Sequence, residues 1–342
     1  MDNKNILVTG GSGFIGLNLI LELLKKTDYR IYNLDKISYS SNNESLSKLI
    51  TNNGDKFSER YSFLNADLAK RAEVDDALRI SNPDLIIHLA AESHVDKSIN
   101  NPEIFIKSNI FGTFNLLEES LNHYKNLKRY RKDAFKFYHI STDEVFGSLN
   151  YNEKSFDETS KYNPRSPYSA SKASSDHLVN SWYHTYDLPV IITNCSNNYG
   201  PGQHYEKLIP KIIINSILGF EIPIYGNGQN IRDWVFVEDH VDALITIMNN
   251  GIIGEKYCIG ANNELSNKRI TEIICSKLDK KVRKDEPYIK QVKFVEDRLG
   301  HDFRYALDTS KIKSNLGWQA KTSFNKGIEQ TINWYLKNAD YI

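Results

Sequence analysis

The sequence has no net charge to offer a polyanion: 43 basic residues balance 43 acidic ones over 342 positions. A chain with no field of either sign gives no argument for nucleic acid or an anionic membrane as partner. Cysteine is scarce. Cys195, Cys258 and Cys275 are an odd number without metal-type spacing. They read as free, buried thiols in a reducing compartment, and no metal is expected. No apolar run approaches the length of a membrane span. The short apolar run near the start stops at Gly10 and Gly11 and is too brief for a secretory signal. Internal repeats and low-complexity segments are also missing. These absences leave a cytoplasmic globular protein, long enough for two domains around one cleft.

What is present begins with a strand from Lys4 to Thr9. The turn Gly10-Gly-Ser-Gly13-Phe-Ile-Gly16 follows, and then an apolar helix pattern from Phe14 to Leu24. Strand, glycine turn and helix form the setting in which a glycine motif means a dinucleotide site. Gly10 permits the tight turn, Gly13 lets the backbone approach a pyrophosphate, and Gly16 lets helix pack on strand. Phosphates would meet the positive end of the helix. A second strand, Tyr29 to Leu34, ends in Asp35, about 20 residues past the glycines, where a carboxylate binds ribose hydroxyls and repels a 2′-phosphate. NAD is therefore expected over NADP. A glycine turn without ligand is the alternative.

Tyr61 to Ala66 predicts a third strand ending in Asp67 and Leu68, a pair suited to adenine. Pro83 to Ala91 predicts a fourth, whose Ala90 and Ala91 let a cofactor pass near the backbone. His88 lies in an apolar run and reads as a core histidine. A single long helix is expected over Glu103 to Tyr124, with Phe105, Leu116, Leu117 and Leu121 spaced for burial. The lysine- and arginine-rich stretch after it, Asn122 to Lys132, reads as a solvated helix end and loop.

The centre of the chain carries the chemistry. A buried strand, Phe135 to Ile140, runs into Ser141-Thr142-Asp143-Glu144. Neighbouring strand residues point to opposite faces, so two acids that serve one site require the chain to leave extended geometry there. That place is the carboxyl end of a strand, where open parallel sheets bind ligands. Two close carboxylates tend to divide into one acid and one base. Tyr168 and Lys172 stand one helical turn apart on a helix expected from Tyr168 to Tyr186. The lysine's charge favours the phenolate, which makes the tyrosine a base near neutral pH. A sixth strand, Leu188 to Thr193, leads into the polar turn Asn194-Cys-Ser-Asn197-Asn198-Tyr-Gly-Pro-Gly202.

Alternation of strand and helix to this point predicts an α/β fold, a doubly wound parallel sheet. Beyond Gly202 the alternation decays into short elements around Glu206 to Pro210 and Ile222 to Tyr225. Lys207, Arg232 and Arg298 are cations that together could face a diphosphate. The expected division is a dinucleotide-binding domain over residues 1–194, with 233–260 returning to its sheet, and a smaller lobe over 195–342 that closes on the substrate.

These residues resemble the extended short-chain dehydrogenase/reductase family, and within it the nucleotide-sugar 4,6-dehydratases. The resemblance covers nearly the whole chain. Its blocks are Gly-Gly-Ser-Gly-Phe-Ile-Gly at 10–16, Leu-Ala-Ala-Glu-Ser-His-Val-Asp at 89–96, Ser-Thr-Asp-Glu-Val at 141–145 and Pro-Tyr-Ser-Ala-Ser-Lys at 167–172. They continue with Asn-Cys-Ser-Asn-Asn-Tyr-Gly-Pro at 194–201, Arg-Asp-Trp at 232–234 and Gly-His-Asp at 300–302. Three positions depart from the family pattern: Phe146 stands where Tyr is usual, Leu299 where Pro is usual, and Tyr205 where Pro precedes Glu206.

The resemblance implies NAD as a recycled hydride carrier and a nucleotide sugar, dTDP-glucose, as substrate. Tyr168 would be the base for oxidation at C4, with Lys172 beside it and Thr142 bonded to the C4 oxygen. Glu144 would remove the C5 proton, and protonated Asp143 would donate to the leaving C6 hydroxyl. Implied cofactor contacts are Gly10, Gly13, Phe14, Ile15, Gly16, Asp35, Lys36, Ser38, Asp67, Leu68, Leu89, Ala90, Ala91, Ser93, Ser108, Tyr168, Lys172 and Asn198. Implied substrate contacts are Ser93, Thr142, Asn197, Lys207, Leu208, Pro223, Tyr225, Arg232, Asn267, Arg298 and His301. A homodimer through the Glu103–Tyr124 and Tyr168–Tyr186 helices is implied as well. The alternatives are a UDP- or CDP-glucose dehydratase, a sugar-nucleotide 4-epimerase or decarboxylase, and a non-catalytic NAD-binding regulator. Asp143 discriminates best, because epimerases carry small residues and decarboxylases usually Ser there.

Overall fold

A computed structural model of the chain describes residues 4–338. The outermost residues of the two expected domains, 1–3 and 339–342, lie outside that range. The chain divides into two compact units. The first spans 1–145, 166–194 and 244–257; the second spans 146–165, 195–243 and 258–342. The segment 146–165 thus groups with the second unit, although it lies inside the stretch expected to belong to the first.

Six strands come in succession: β1 (Asn5–Thr9), β2 (Arg30–Asp35), β3 (Tyr61–Asn65), β4 (Leu85–His88), β5 (Lys136–Thr142) and β6 (Val190–Cys195). The chain then forms β7 (Asn197–Tyr199), β8 (Ile222–Tyr225), β9 (Ile231–Phe236), β10 (Lys256–Ile259), β11 (Glu264–Ser266) and β12 (Val292–Val295). The large sheet has the order β10-β6-β5-β4-β1-β2-β3. Pairings of β1 with β2 and β4, of β2 with β3, and of β4 with β5 are parallel. Strand order reverses at β1, between β4 and β2, which is the switch point where such sheets bind ligands. One buried cluster fills this unit, from Leu7 and Ile86 in the strands to Leu116, Leu117 and Trp182 in the helices.

The long helix expected after Pro102 is broken. A short α-turn, Pro102–Phe105, passes into a π-helical turn, Ile106–Phe111, and then an α-helix, Gly112–Asn126. Buried Asn109 explains the break. Its side chain accepts from the Glu92 amide at 2.8 Å and donates to the Glu92 carbonyl at 3.0 Å and Ser171 Oγ at 2.8 Å. Its carbonyl accepts from Thr113 and Ser175 hydroxyls, both at 2.6 Å. Side chains inserted into the ladder displace the regular bond and widen the turn. The basic stretch that follows is not a bare loop. It ends in a second short helix, Arg129–Ala134, whose Arg131 reaches Asp84 at 2.5 Å.

In the second unit, β9 pairs parallel with β7 and antiparallel with β11, and β12 pairs with β8. Of the segment 233–260, the strand β10 joins the large sheet, whereas β9 does not. Trp234 and Phe236 of β9 enter the second unit's own core with Tyr199, Ile209 and Ile328. Leu208–Leu218 is an eleven-residue helix, longer than the short elements expected there. Pro210 disguises it, yet a proline in the first turn gives up no intrahelical bond.

Candidate active site

Local geometry in the first unit follows from its glycines. Gly10 has φ +72°, and a Cβ there would sit 2.6 Å from the Ala90 nitrogen. Gly16 packs so tightly that a Cβ would lie 2.4 Å from the Gly10 carbonyl oxygen. Gly13 meets only that same oxygen, at 3.2 Å, so the turn's backbone is open on its outer side. The Phe14–Lys26 helix starts there. An open backbone at a helix N-terminus beside the switch point is a cradle that fits a pyrophosphate. Gly11 was not singled out from sequence; a Cβ on it would meet Asn33 Oδ1 at 2.3 Å.

Asp35 ends β2 and holds the neighbouring loops. It accepts from the Ser12 amide at 3.1 Å and the Ile37 amide at 2.9 Å. Burial nonetheless raises its pKa above the usual carboxylate value, with those bonds pulling the other way. Lys36 donates to Ser108 Oγ at 2.8 Å and pairs with Glu92 at 3.1 Å. Ser38 lies on the same loop, its amide bonded to Ser41 Oγ. Asp67 caps its own turn through the Ala69 amide, and the Leu68 carbonyl accepts from Asn115 at 2.8 Å. The Leu89 and Ala90 amides bond Thr9 at 3.0 and 3.3 Å, which aligns the β4 end with the glycine turn. Ser93 is exposed just beyond. His88 is buried between Thr9 at 2.7 Å and Thr113 at 2.9 Å, a core histidine whose pKa burial holds well below its ordinary value.

At the end of β5 the backbone turns from strand into a 3-10 helix, Asp143–Phe146. Thr142 Oγ1 donates to Asp143 at 3.1 Å and accepts from the Glu144 amide at 3.3 Å. The hydroxyl and both acids are thereby gathered in one turn. Helix Pro167–Tyr186 packs on this strand. Ser166 and Ser169 form a capping box that fixes its start, so Tyr168 sits in the first turn. Lys172 donates to the Ile140 carbonyl at 3.0 Å, two residues before Thr142. Tyr168 and Lys172 are 8% and 4% exposed, and Asp143 is 1% exposed. The five candidate catalytic residues therefore belong to one unit and three elements: the end of β5, the 3-10 turn that follows it, and the Pro167–Tyr186 helix.

Two residues that sequence reading passed over complete this corner. Asn194 donates to the Thr142 carbonyl at 3.0 Å and to Asp176 at 3.1 Å. Asp176 also pairs with His139 at 3.1 Å. The available signal was spacing: Tyr168, Lys172 and Asp176 recur every four residues on one helix face.

The remaining sequence candidates lie in the second unit. Arg298 stands 5.2 Å over the Tyr225 ring, and His301 lies 6.3 Å from that ring. His301 bonds Asp297 at 2.7 Å. Burial lowers the His301 pKa, opposed by Asp297 and reinforced by the charges of Arg232 and Arg298. Arg232 donates to the Ile231, Phe303 and Asp302 carbonyls and stacks 4.1 Å over Tyr305. Several of its N–H groups thus brace the 302–303 turn. Tyr305, unremarked in sequence, donates to Asp302 at 2.5 Å. Lys207 and Leu208 start one helix and Asn267 another, and these two helices pack together. Pro223 lies on β8 with Tyr225. Asn197 and Asn198 are on β7, where Asn198 meets His240 at 2.9 Å. Among the described residues no group of three or more His, Cys, Asp or Glu could hold a metal ion. No helix among them is long and apolar enough to cross a membrane.

Comparison with known proteins shows the family. The family model described as GDP-mannose 4,6 dehydratase matches residues 7–331. The chain is 48% identical over 339 residues to a dTDP-glucose 4,6-dehydratase of Haemophilus influenzae, covering 98% of each. It is 46% identical to the one from Neisseria gonorrhoeae, covering 98% of this chain and 96% of that one. A solved structure of the Streptomyces venezuelae dTDP-glucose 4,6-dehydratase DesIV, with NAD and dTDP bound, superposes with a TM-score of 0.87 at 37% identity, covering 98% of both. The chain belongs to the GDP-mannose 4,6-dehydratase family and, within it, to the dTDP-glucose 4,6-dehydratases.

Proposed function

We propose that this protein converts dTDP-glucose to dTDP-4-keto-6-deoxyglucose and water, with NAD recycled in each turnover. The observation that carries the reading is the turn at the end of β5. It presents Thr142, Asp143 and Glu144 together, beside the helix that holds Tyr168 and Lys172. A hydroxyl, two carboxylates and a phenol–ammonium pair are what an oxidation followed by loss of water requires. An epimerase needs only the last pair.

Bound NAD would supply a hydride acceptor for C4 and a donor for C6. Gly10, Gly13, Gly16 and Asp35 are the residues that would hold it. Tyr168 accepts the proton of the C4 hydroxyl, and the adjacent ammonium favours its phenolate form. Glu144 then takes the C5 proton, and Asp143 delivers a proton to the departing C6 oxygen. In the second unit, Lys207, Arg232 and Arg298 would hold the diphosphate, so that the ring keeps its place between steps.

The test is to incubate purified protein with dTDP-, UDP- and CDP-glucose and to follow mass. Loss of one water from dTDP-glucose, with deuterium carried from C4 to C6, is the expected result. An isomer of unchanged mass, or label in free NADH, would overturn the assignment.

We further infer a homodimer and a cytoplasmic location. Exposed Ile104 on the Pro102–Phe105 turn, Ile106 and Phe111 on the π-turn, and Tyr186 on the Pro167–Tyr186 helix support pairing through those segments. Analytical ultracentrifugation giving a monomer mass would refute the dimer. Three buried cysteines, none of them in a disulfide, support a reducing compartment.

A further inference from the structure

Resting on the dehydratase reading, we propose that Asp176 is a positioning residue of the reaction. It is the buried counterion of Lys172 and, through Asn194, it fixes the turn that carries Thr142 and Asp143. Asp176 is 0% exposed, one helical turn beyond Lys172 and two beyond Tyr168 on the same face. One carboxylate oxygen accepts from His139 on β5 at 3.1 Å, the other from Asn194 on β6 at 3.1 Å. Asn194 uses the same amide group to hold the Thr142 carbonyl at 3.0 Å. Lys172 is tied to the same strand through the Ile140 carbonyl at 3.0 Å. The carboxylate, the ammonium and the acid-bearing turn are thus joined in one buried set.

The groups that face Asp176 from each neighbouring element decide its charge. On its own helix there is Lys172. On β5 there are the Ser141 hydroxyl and His139, and behind His139 stands His88, with ring centres 5.1 Å apart. Burial pushes His139 down to about 4, and His88 also lies well below its ordinary value. Both are neutral at neutral pH, so the positive charge facing Asp176 is the Lys172 ammonium. Burial works to raise the carboxyl, but His139 and Lys172 bring it below its usual pKa. A buried carboxylate is kept ionised by pairing of this kind.

Asp176 therefore offsets part of the positive field that Lys172 exerts on Tyr168. Replacing it by Asn removes the charge and keeps the shape. The new amide can accept from Asn194 and donate to His139, which needs only a change of imidazole tautomer. Eight residues of helix place the two groups about 12 Å apart. At that distance one negative charge raises a phenol's pKa by roughly half to one unit.

The experiment is an ultraviolet difference titration of the NAD-bound protein, with Tyr168→Phe as the blank. It reads the Tyr168 phenolate directly and needs no sugar nucleotide, so it fails separately from the assigned reaction. Asp176→Asn should lower the Tyr168 midpoint by about 0.5–1 pH unit. Asn194→Ala should leave that midpoint in place and slow release of water from dTDP-glucose. A midpoint that stays or rises in Asp176→Asn overturns the proposal. Should that variant not fold, Lys172→Met/Asp176→Asn decides by its melting temperature. Counterions require it to melt above Lys172→Met alone, and a lower or equal value refutes the pairing.

Discussion

The groups proposed to react in the first unit come from two short stretches, residues 142–144 and 168–172, beside the glycine turn at 10–16. The substrate contacts proposed for the second unit are spread over strands, helix starts and loops between Asn197 and His301. Much of the first set is buried and tied to backbone carbonyls: the Gly10 amide donates to Leu34, Lys172 to Ile140, and Asn194 to Thr142. The second set is a group of cations against aromatic faces, with Arg298 on Tyr225 and Arg232 on Tyr305. Bond-making steps demand fixed atoms at close range, whereas holding a diphosphate demands charge and reach. With those proposed roles, kcat is expected to depend chiefly on the first set and KM chiefly on the second.

The sharpest test of that division is removal of the acids. Asp143→Asn keeps the Thr142 bond but cannot protonate a leaving hydroxyl, and Glu144→Gln cannot take the C5 proton. Each should lower formation of the 4-keto-6-deoxy product by about 10²–10⁴-fold, while NADH absorbance still appears on adding substrate. Tyr168→Phe should abolish that absorbance too. Full turnover in Asp143→Asn would break the comparison at its first term.

Acid should unsettle both units, over different ranges. His139 in the first is held to about 4, and His240 in the second to about 3, both by burial. Each is neutral in the fold, while the unfolded chain takes up a proton near pH 6.5. Stability is therefore full above that pH and is lost as pH falls through it, until the folded histidine itself protonates. For His139 the loss amounts to the order of 3 kcal/mol, levelling off near pH 4; for His240 it continues to about 3. Calorimetric melts from pH 7 to 4 check this, and an unchanged melting temperature down to pH 5 would contradict it.

Much of the first unit could be read in the sequence because its constraints are local. A glycine needed at positive φ, an acid at a strand end and a tyrosine four residues before a lysine all show in a short window. The turn at Asp143 could be inferred from a physical conflict, two acids with one task on a pleated strand. What escaped depends on long-range packing. The π-turn exists because Glu92, Ser171 and Ser175 reach Asn109 from distant segments. Asn194 and Asp176 gained meaning only once β6 lay beside β5. In the second unit, Pro210 concealed a helix, and β9 stayed out of the large sheet because Trp234 and Phe236 are buried elsewhere. Arg232 is expected from the sequence to face a diphosphate, and nothing in its neighbourhood along the chain shows that its donors also brace the Ile231 and Asp302 carbonyls.

The second unit's share can be tested with Arg298→Ala. If the guanidinium contributes charge-assisted bonds to a diphosphate, its loss should raise KM about tenfold to a hundredfold. A binding interaction shared by ground and transition states leaves kcat nearly unchanged. Steady-state kinetics with dTDP-glucose measure both constants. A fall in kcat at constant KM would move Arg298 into the reacting set and blur the distinction between the units.

The smallest effect concerns Phe146, the residue after the acid turn. The family pattern that the sequence resembles has tyrosine there, so phenylalanine removes a hydroxyl near the acids. Phe146 is 2% exposed and groups with the second unit, not with the acids. Its ring stacks on Phe156 at 5.3 Å and meets Tyr162 edge-on at 5.2 Å. The neighbouring backbone is fixed by the Phe156 amide on the Ala306 carbonyl at 2.9 Å. The position therefore anchors the 146–165 segment by aromatic packing, worth about 0.5–1.5 kcal/mol beyond its burial. Phe146→Tyr keeps the ring and adds one hydroxyl at its edge. It should alter stability by less than about 1.5 kcal/mol and leave the rate of water loss within a few-fold of the parent. Phe146→Leu, which removes the ring, should cost more stability than Phe146→Tyr and still spare the chemistry. Thermal melts and product mass on both variants check this order, and a large gain in rate for Phe146→Tyr would return the position to the acids.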